Sequence, residues 1–137
     1  MMSRLPLWAA ALWWGSLSTI GFLVVPLLFA TLPTPALAGN MAARLFAAQT
    51  GVSCVCALLL LMSSRKNQAL APTPIEQTAI IFIVGGMLLA LLAEFAVAPR
   101  IVARENLRLW HSVGSAMYLL QWLCAGATFW KLTSQRT

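Results

Sequence analysis

Four long apolar runs set the terms for this chain. They cover residues 7–29, 45–62, 78–98 and 107–130, and between them hold one acid, Glu94, and one arginine, Arg108. A membrane-crossing helix needs about 20 mostly apolar residues, and each run is close to that. A soluble fold would need charge to cover its surface. Only 9% of this chain is charged and 61% is apolar, against about 25% charged in a soluble domain. Lipid is the solvent that fits. With no water to satisfy the backbone in hydrocarbon, a chain of this size can only cross as helices.

The runs are separated by breakers and bases. Pro33 and Pro35 follow the first run. Ser63, Ser64, Arg65, Lys66 and Asn67 close the second, and the Ala71-Pro72-Thr73-Pro74 stretch reads as extended chain. Arg44 precedes the second run, with Asn40 as its expected N-cap. Trp8, Trp110 and Trp130 lie at run ends, where indole rings favour the headgroup level. Small residues at Ala36 and Ala38 resemble a leader-cleavage site. The apolar run before them is longer than the 7–15 residues of a leader's core, so it is read as a span.

The expected fold is therefore all-α: one domain, residues 1–137, forming an up-down-up-down four-helix transmembrane bundle. An even number of spans puts both termini on one side. That side carries Arg4, Arg65, Lys66, Lys131 and Arg136, against Arg44, Arg100, Arg104 and Arg108 on the other. The small excess places both termini in the cytoplasm. The net charge of +6 belongs to headgroups rather than nucleic acid, since no basic face or nucleic-acid motif accompanies it. Val24-Val25-Pro26 and Val97-Ala98-Pro99 end the first and third runs alike. Arg44-Leu45-Phe46 and Arg108-Leu109-Trp110 open the second and fourth alike. Both echoes fit a bundle of two similar hairpins.

Functional chemistry is sparse. The three cysteines have no metal spacing, and Cys54 and Cys56 fall on different sides of a helix. No nucleophile–base pair or phosphate loop is present, which leans away from an enzyme. What polarity there is gathers between Glu94 and His111. Glu94 lies roughly 7 Å in from Pro99 at 1.5 Å per residue. His111, Arg44 and Gln49 can occupy the same layer. Intramembrane ionisable groups are costly and usually pair inside the bundle. Glu94 can thus form an ion pair with Arg44 or Arg100, serve a proton or cation, or be buried as the neutral acid. His111, the only histidine, can bond between helices, relay protons with Glu94, or ligate a metal or haem. Haem would need Met117, Met87 or a second protomer for its other axial position. Arg100, Arg104 and Arg108, four apart, would form one basic stripe on a continuous helix, suited to headgroups or an anionic partner. The small-residue pair Gly86 and Ala90 permits close helix approach, either within the bundle or in a homo-oligomer.

Ala98-Pro99-Arg100-Ile101, Arg104 and His111 together resemble the bacterial domain-of-unknown-function family 4149, grouped with transmembrane protein 205. Trp14-Gly15, Val25-Pro26, Phe29, Ala38-Gly39 and Leu45-Phe46 carry the resemblance through the first half. It implies a small four-span inner-membrane protein and no particular activity. A more distant similarity joins the copper-resistance D domain and the small membrane protoporphyrinogen oxidase. The latter relies on a histidine in its first helix, which this chain lacks. The expected role is an accessory or structural part of a membrane complex. The alternatives are a small-molecule, metal or proton-coupled transporter using Glu94 and His111, or a haem or redox protein using His111.

Overall fold

The computed structural model describes residues 4–68 and 74–135, with side chains at 4–65 and 77–135. The described residues form four long helices and no strand. Helix α1 spans Leu5–Thr31, α2 spans Pro35–Gln68, α3 covers residues 74–102, and α4 spans Leu107–Ser134. Helix α1 packs on α2 and α4, and α3 packs on the same two. The helices thus stand at the corners of a square, with α1 facing α3 and α2 facing α4 across the diagonals. This is the expected four-helix bundle.

Three of the four, over Leu5–Thr31, Pro35–Arg65 and Gln77–Val102, are long and apolar enough to cross a membrane. These are the helices of a membrane protein. Helix α4 is as long, at 28 residues. It is less apolar, with Tyr118, Gln121, Trp122 and Thr128 on its packed side and Arg108, His111, Ser112 and Ser115 exposed near its start. Many outward positions carry large apolar side chains, among them Leu12, Phe22, Ile81, Phe95 and Leu120. Hydroxyls inside the helices are satisfied by the preceding turn: Ser18 donates to the Trp14 carbonyl, Thr50 to Phe46 and Thr128 to Cys124.

The elements outrun their apolar cores. Helix α2 starts ten residues before the second apolar run, at Pro35, because proline suits a first helical turn. Thr34 caps it, its Oγ1 accepting the Leu37 N–H at 3.2 Å. Asn40, the expected cap, lies inside the helix instead. The added turns bury Ala38 and Ala42, and α2 packs there along Val25–Thr31. The expected extended stretch at 71–74 falls mostly outside the described residues, as do Arg136 and the side chain of Lys66.

Helices α1 and α3 share a backbone irregularity. Each contains a five-residue π segment, Ile20–Val24 and Ala93–Val97. In each, the closing N–H reaches five residues back, from Val25 to Ile20 and from Ala98 to Ala93. Proline follows at once in both, as Pro26 and Pro99. A proline removes one N–H and collides with the carbonyl four residues earlier. Widening the preceding turn relieves that collision while keeping the backbone bonded in lipid. The inward residues correspond as well: Ala10, Trp13 and Leu17 match Ile83, Gly86 and Ala90 at a constant displacement of 73. Helices α2 and α4 do not correspond so simply. Arg44 lies well inside α2, whereas Arg108 is the second residue of α4.

Both diagonals are bridged. Trp13, fully buried on α1, reaches across to α3, where a Cβ on Gly86 would lie 2.7 Å from its ring. The small residues at 86 and 90 therefore serve close packing within the chain. On the other diagonal Ser53 of α2 bonds Gln121 of α4. The seam between α1 and α4 is aromatic. Trp14 lies 5.8 Å from Trp122 and 6.0 Å from Phe129, and Phe22 meets Trp122 edge-on at 5.4 Å. Gly126 leaves room for the Trp14 indole.

Candidate functional site

Two polar regions result, one on the bundle axis and one at the end where α3 turns into α4. On the axis, Gln49 and Ser53 sit one turn apart on the inward face of α2, 5% and 0% exposed. Gln49 Nε2 donates to Ser16 Oγ on α1 at 3.0 Å and to Ser53 Oγ at 3.3 Å. Ser53 Oγ donates in turn to Gln121 Oε1 on α4 at 2.9 Å. The Ser16 hydroxyl in turn donates to the Trp13 carbonyl at 3.0 Å. This ladder joins three helices, and every step inside it runs from donor to acceptor. Interhelical bonds of this type contribute on average about 0.6 kcal/mol in a membrane. Two ends are left over: Gln49 Oε1 and Gln121 Nε2 have no protein partner among the described residues.

Beside the ladder lies Tyr118, whose hydroxyl donates to the Leu17 carbonyl at 2.6 Å. Its ring lies where a side chain at Gly21 would project, so glycine is required there. Trp122 Nε1 donates to Ser18 Oγ at 2.8 Å. Among side-chain polar atoms that are fully enclosed, the Trp13 Nε1–H alone lacks a partner among the described residues.

At the other region α3 ends at Val102, and residues 103–106 turn the chain. Arg104 and Asn106 adopt φ of 57° and 40°. Asparagine tolerates this left-handed conformation readily, arginine less so. The turn interrupts the helix, so Arg100, Arg104 and Arg108 do not continue one helical stripe. All three are exposed. Arg100 instead lies 4.6 Å from the centre of the Trp110 ring, a cation–π contact spanning the turn.

Of the residues singled out from sequence, Gln49 is drawn into the axial ladder. Glu94 is half-buried within the second π segment, at the position matching Gly21. His111 and Arg44 are exposed. No hydrogen bond or ion pair links Glu94, His111 and Arg44 to one another among the described residues. Met87 and Met117 are half-buried. No group of three His, Cys, Asp or Glu side chains among the described residues could hold a metal ion.

Ser16, Ser53, Gln121, Trp13 and Tyr118 were not singled out from the sequence. One signal was present: Gln49 and Ser53 are four apart, which on a helix stacks two polar groups on one face of an apolar run. Gln121 is the matching amide in the fourth run.

Comparison with known proteins bears on the same residues. The model of DUF4149, described as a domain of unknown function, matches residues 8–109. The chain belongs to the DUF4149 family. The DUF4149 match takes in Trp13, Gln49, Ser53, Glu94 and the basic turn, and ends as α4 begins. No curated protein and no solved structure matches the chain.

Proposed function

We propose that this DUF4149 protein is a four-span protein of the bacterial inner membrane, with both termini in the cytoplasm, acting as an accessory or structural component of a membrane complex. The axial ladder carries this reading. One end of each interior amide is bonded through the serine hydroxyls, from Gln49 through Ser53 to Gln121, tying helices together instead of converging on a reactive group. Around them the wall is apolar, offering broad helix faces to lipid and to other membrane helices. Purification from native membranes in a mild detergent, followed by identification of what co-elutes, tests this. The expected result is a reproducible integral-membrane partner. A solitary monomer under every mild condition would count decisively against it.

One observation favours a second reading, a proton-coupled or cation permeation protein. Glu94 is half-buried in a π segment without a protein partner among the described residues, and π turns recur at functional sites. In proteoliposomes Glu94→Gln should then abolish flux while the protein stays folded. Unchanged flux would remove the idea. A haem reading through His111 is tested by a Soret band after haem-replete expression.

A further inference from the structure

We infer that the bundle axis holds internal water, admitted from the face where the chain termini lie and reaching the Trp13 indole N–H. Trp13 is fully buried, and its Nε1–H has no protein partner among the described residues. A buried donor left unpaired costs on the order of 1–3 kcal/mol, and in a membrane bundle ordered water commonly supplies the missing acceptor.

A source lies close by. At the termini face a cavity with about 60 Å³ of room for water centres opens between all four helices, lined by Pro6, Leu60, Ala79, Ile83, Lys131 and Gln135. One water needs roughly 10–15 Å³ on this measure, so the space suits about four. Lys131, Gln135 and the nearby Ser63 and Ser64 make its rim polar. Its floor is Leu60 and Ile83, each 2% exposed, which pack in the same core cluster as Trp13. Ile83 and Gly86 are successive inward positions on α3, about 4.5 Å apart along the axis at 1.5 Å per residue. The Trp13 ring rests on Gly86. Leu60 and Ile83 therefore lie between the cavity and the level of the Trp13 ring.

The axis is polar again beyond Trp13. On α4 the inward positions run from Leu132 at the cavity through Thr128 and Ala125 to Gln121. On α2 they run from Leu60 to Ser53 and Gln49. Gln121 Nε2 and Gln49 Oε1 supply the further donor and acceptor without protein partners. The arrangement is a half-channel for water: a polar mouth, a gate of Leu60 and Ile83 that opens by a rotamer change, then Trp13 and the amide ladder. It does not depend on the role proposed above.

The test uses the full chain in lipid nanodiscs, with ¹⁵N in the tryptophan indoles and Trp13→Phe to assign the resonance. Trp122, whose indole is bonded to Ser18, is the internal reference. The expected result is a dipolar cross-peak between water and the Trp13 indole proton, and none at Trp122. Trp13 should also deuterate at least about tenfold faster than Trp122, the factor that one ordinary hydrogen bond of protection represents. Ile83→Phe, which fills the gate, should slow Trp13 while leaving the Trp122 shift in place. A Trp13 indole with no water cross-peak and protection equal to that of Trp122 would overturn the inference.

Discussion

The two π segments occupy matching places in α1 and α3, yet their neighbours finish them differently. Ile20–Val24 is closed: Gly21 clears space for the Tyr118 ring, and the tyrosine hydroxyl bonds the Leu17 carbonyl one turn earlier. Ala93–Val97 has Glu94 at the position of Gly21, half-buried and without a protein partner among the described residues. Its packing lies further along, where Val97 and Ile101 fit against Gly114. The backbone irregularity belongs to the proline that follows it. Whether the widened turn becomes a tight joint or a polar one is decided by the facing helix.

That contrast can be broken by substitution. The largest effect is expected from Gly21→Leu, which drives a side chain into Tyr118. It should destabilise the protein by about 3 kcal/mol, the upper part of the overpacking range, whereas Glu94→Leu should be neutral or stabilising. Unfolding in mixed detergent micelles compares the two, and equal losses would refute the distinction. Next comes Gly86→Ala, whose new Cβ meets the Trp13 ring at 2.7 Å. It should cost about 2 kcal/mol, while Gly85→Ala, with open space around it, should cost nothing measurable. Tyr118→Phe keeps the ring and removes only the bond to Leu17, so about 1 kcal/mol is expected. A small effect on stability, under about 0.5 kcal/mol, is expected from Glu94→Gln. Any larger change in flux or in partner recovery by that variant then reports on a site, and sharpens the contrast.

The bundle was legible because lipid leaves few options. A run such as 78–98, nearly free of charge, must be a helix if it crosses at all. Helix ends were less legible: residues 35–44 are too mixed to register as apolar, and their alanines become informative only against Val25–Thr31. The proline echo was visible, and the structure attaches a backbone reason to it. Among polar residues, attention to charge led to Glu94, His111 and Arg44, of which two are exposed. Gln49 stood out by its depth, but the other amides and hydroxyls carry no charge to stand out, and their value depends on which helix lies opposite. Gln49 and Ser53 share a face by spacing alone, but nothing in the order of residues says that Gln121, 68 positions after Ser53, completes the pair. The same holds for Trp13, whose seat at Gly86 belongs to the diagonal helix.

That seat bears on how the molecule is made. A ribosome delivers α1 and α2 to the bilayer well before α3 exists, and at that stage the Trp13 ring has no glycine to rest on. Until α3 arrives, the first hairpin alone must hold its largest interior side chain against lipid or against α2. Tyr118 and Gln121 arrive later than α1, α2 and α3, so the cross-links that close the bundle, to Leu17 and Ser53, form only once α4 has joined them. Closure of these four helices thus waits on α4, and a product truncated before α4 should be a substrate for membrane proteases.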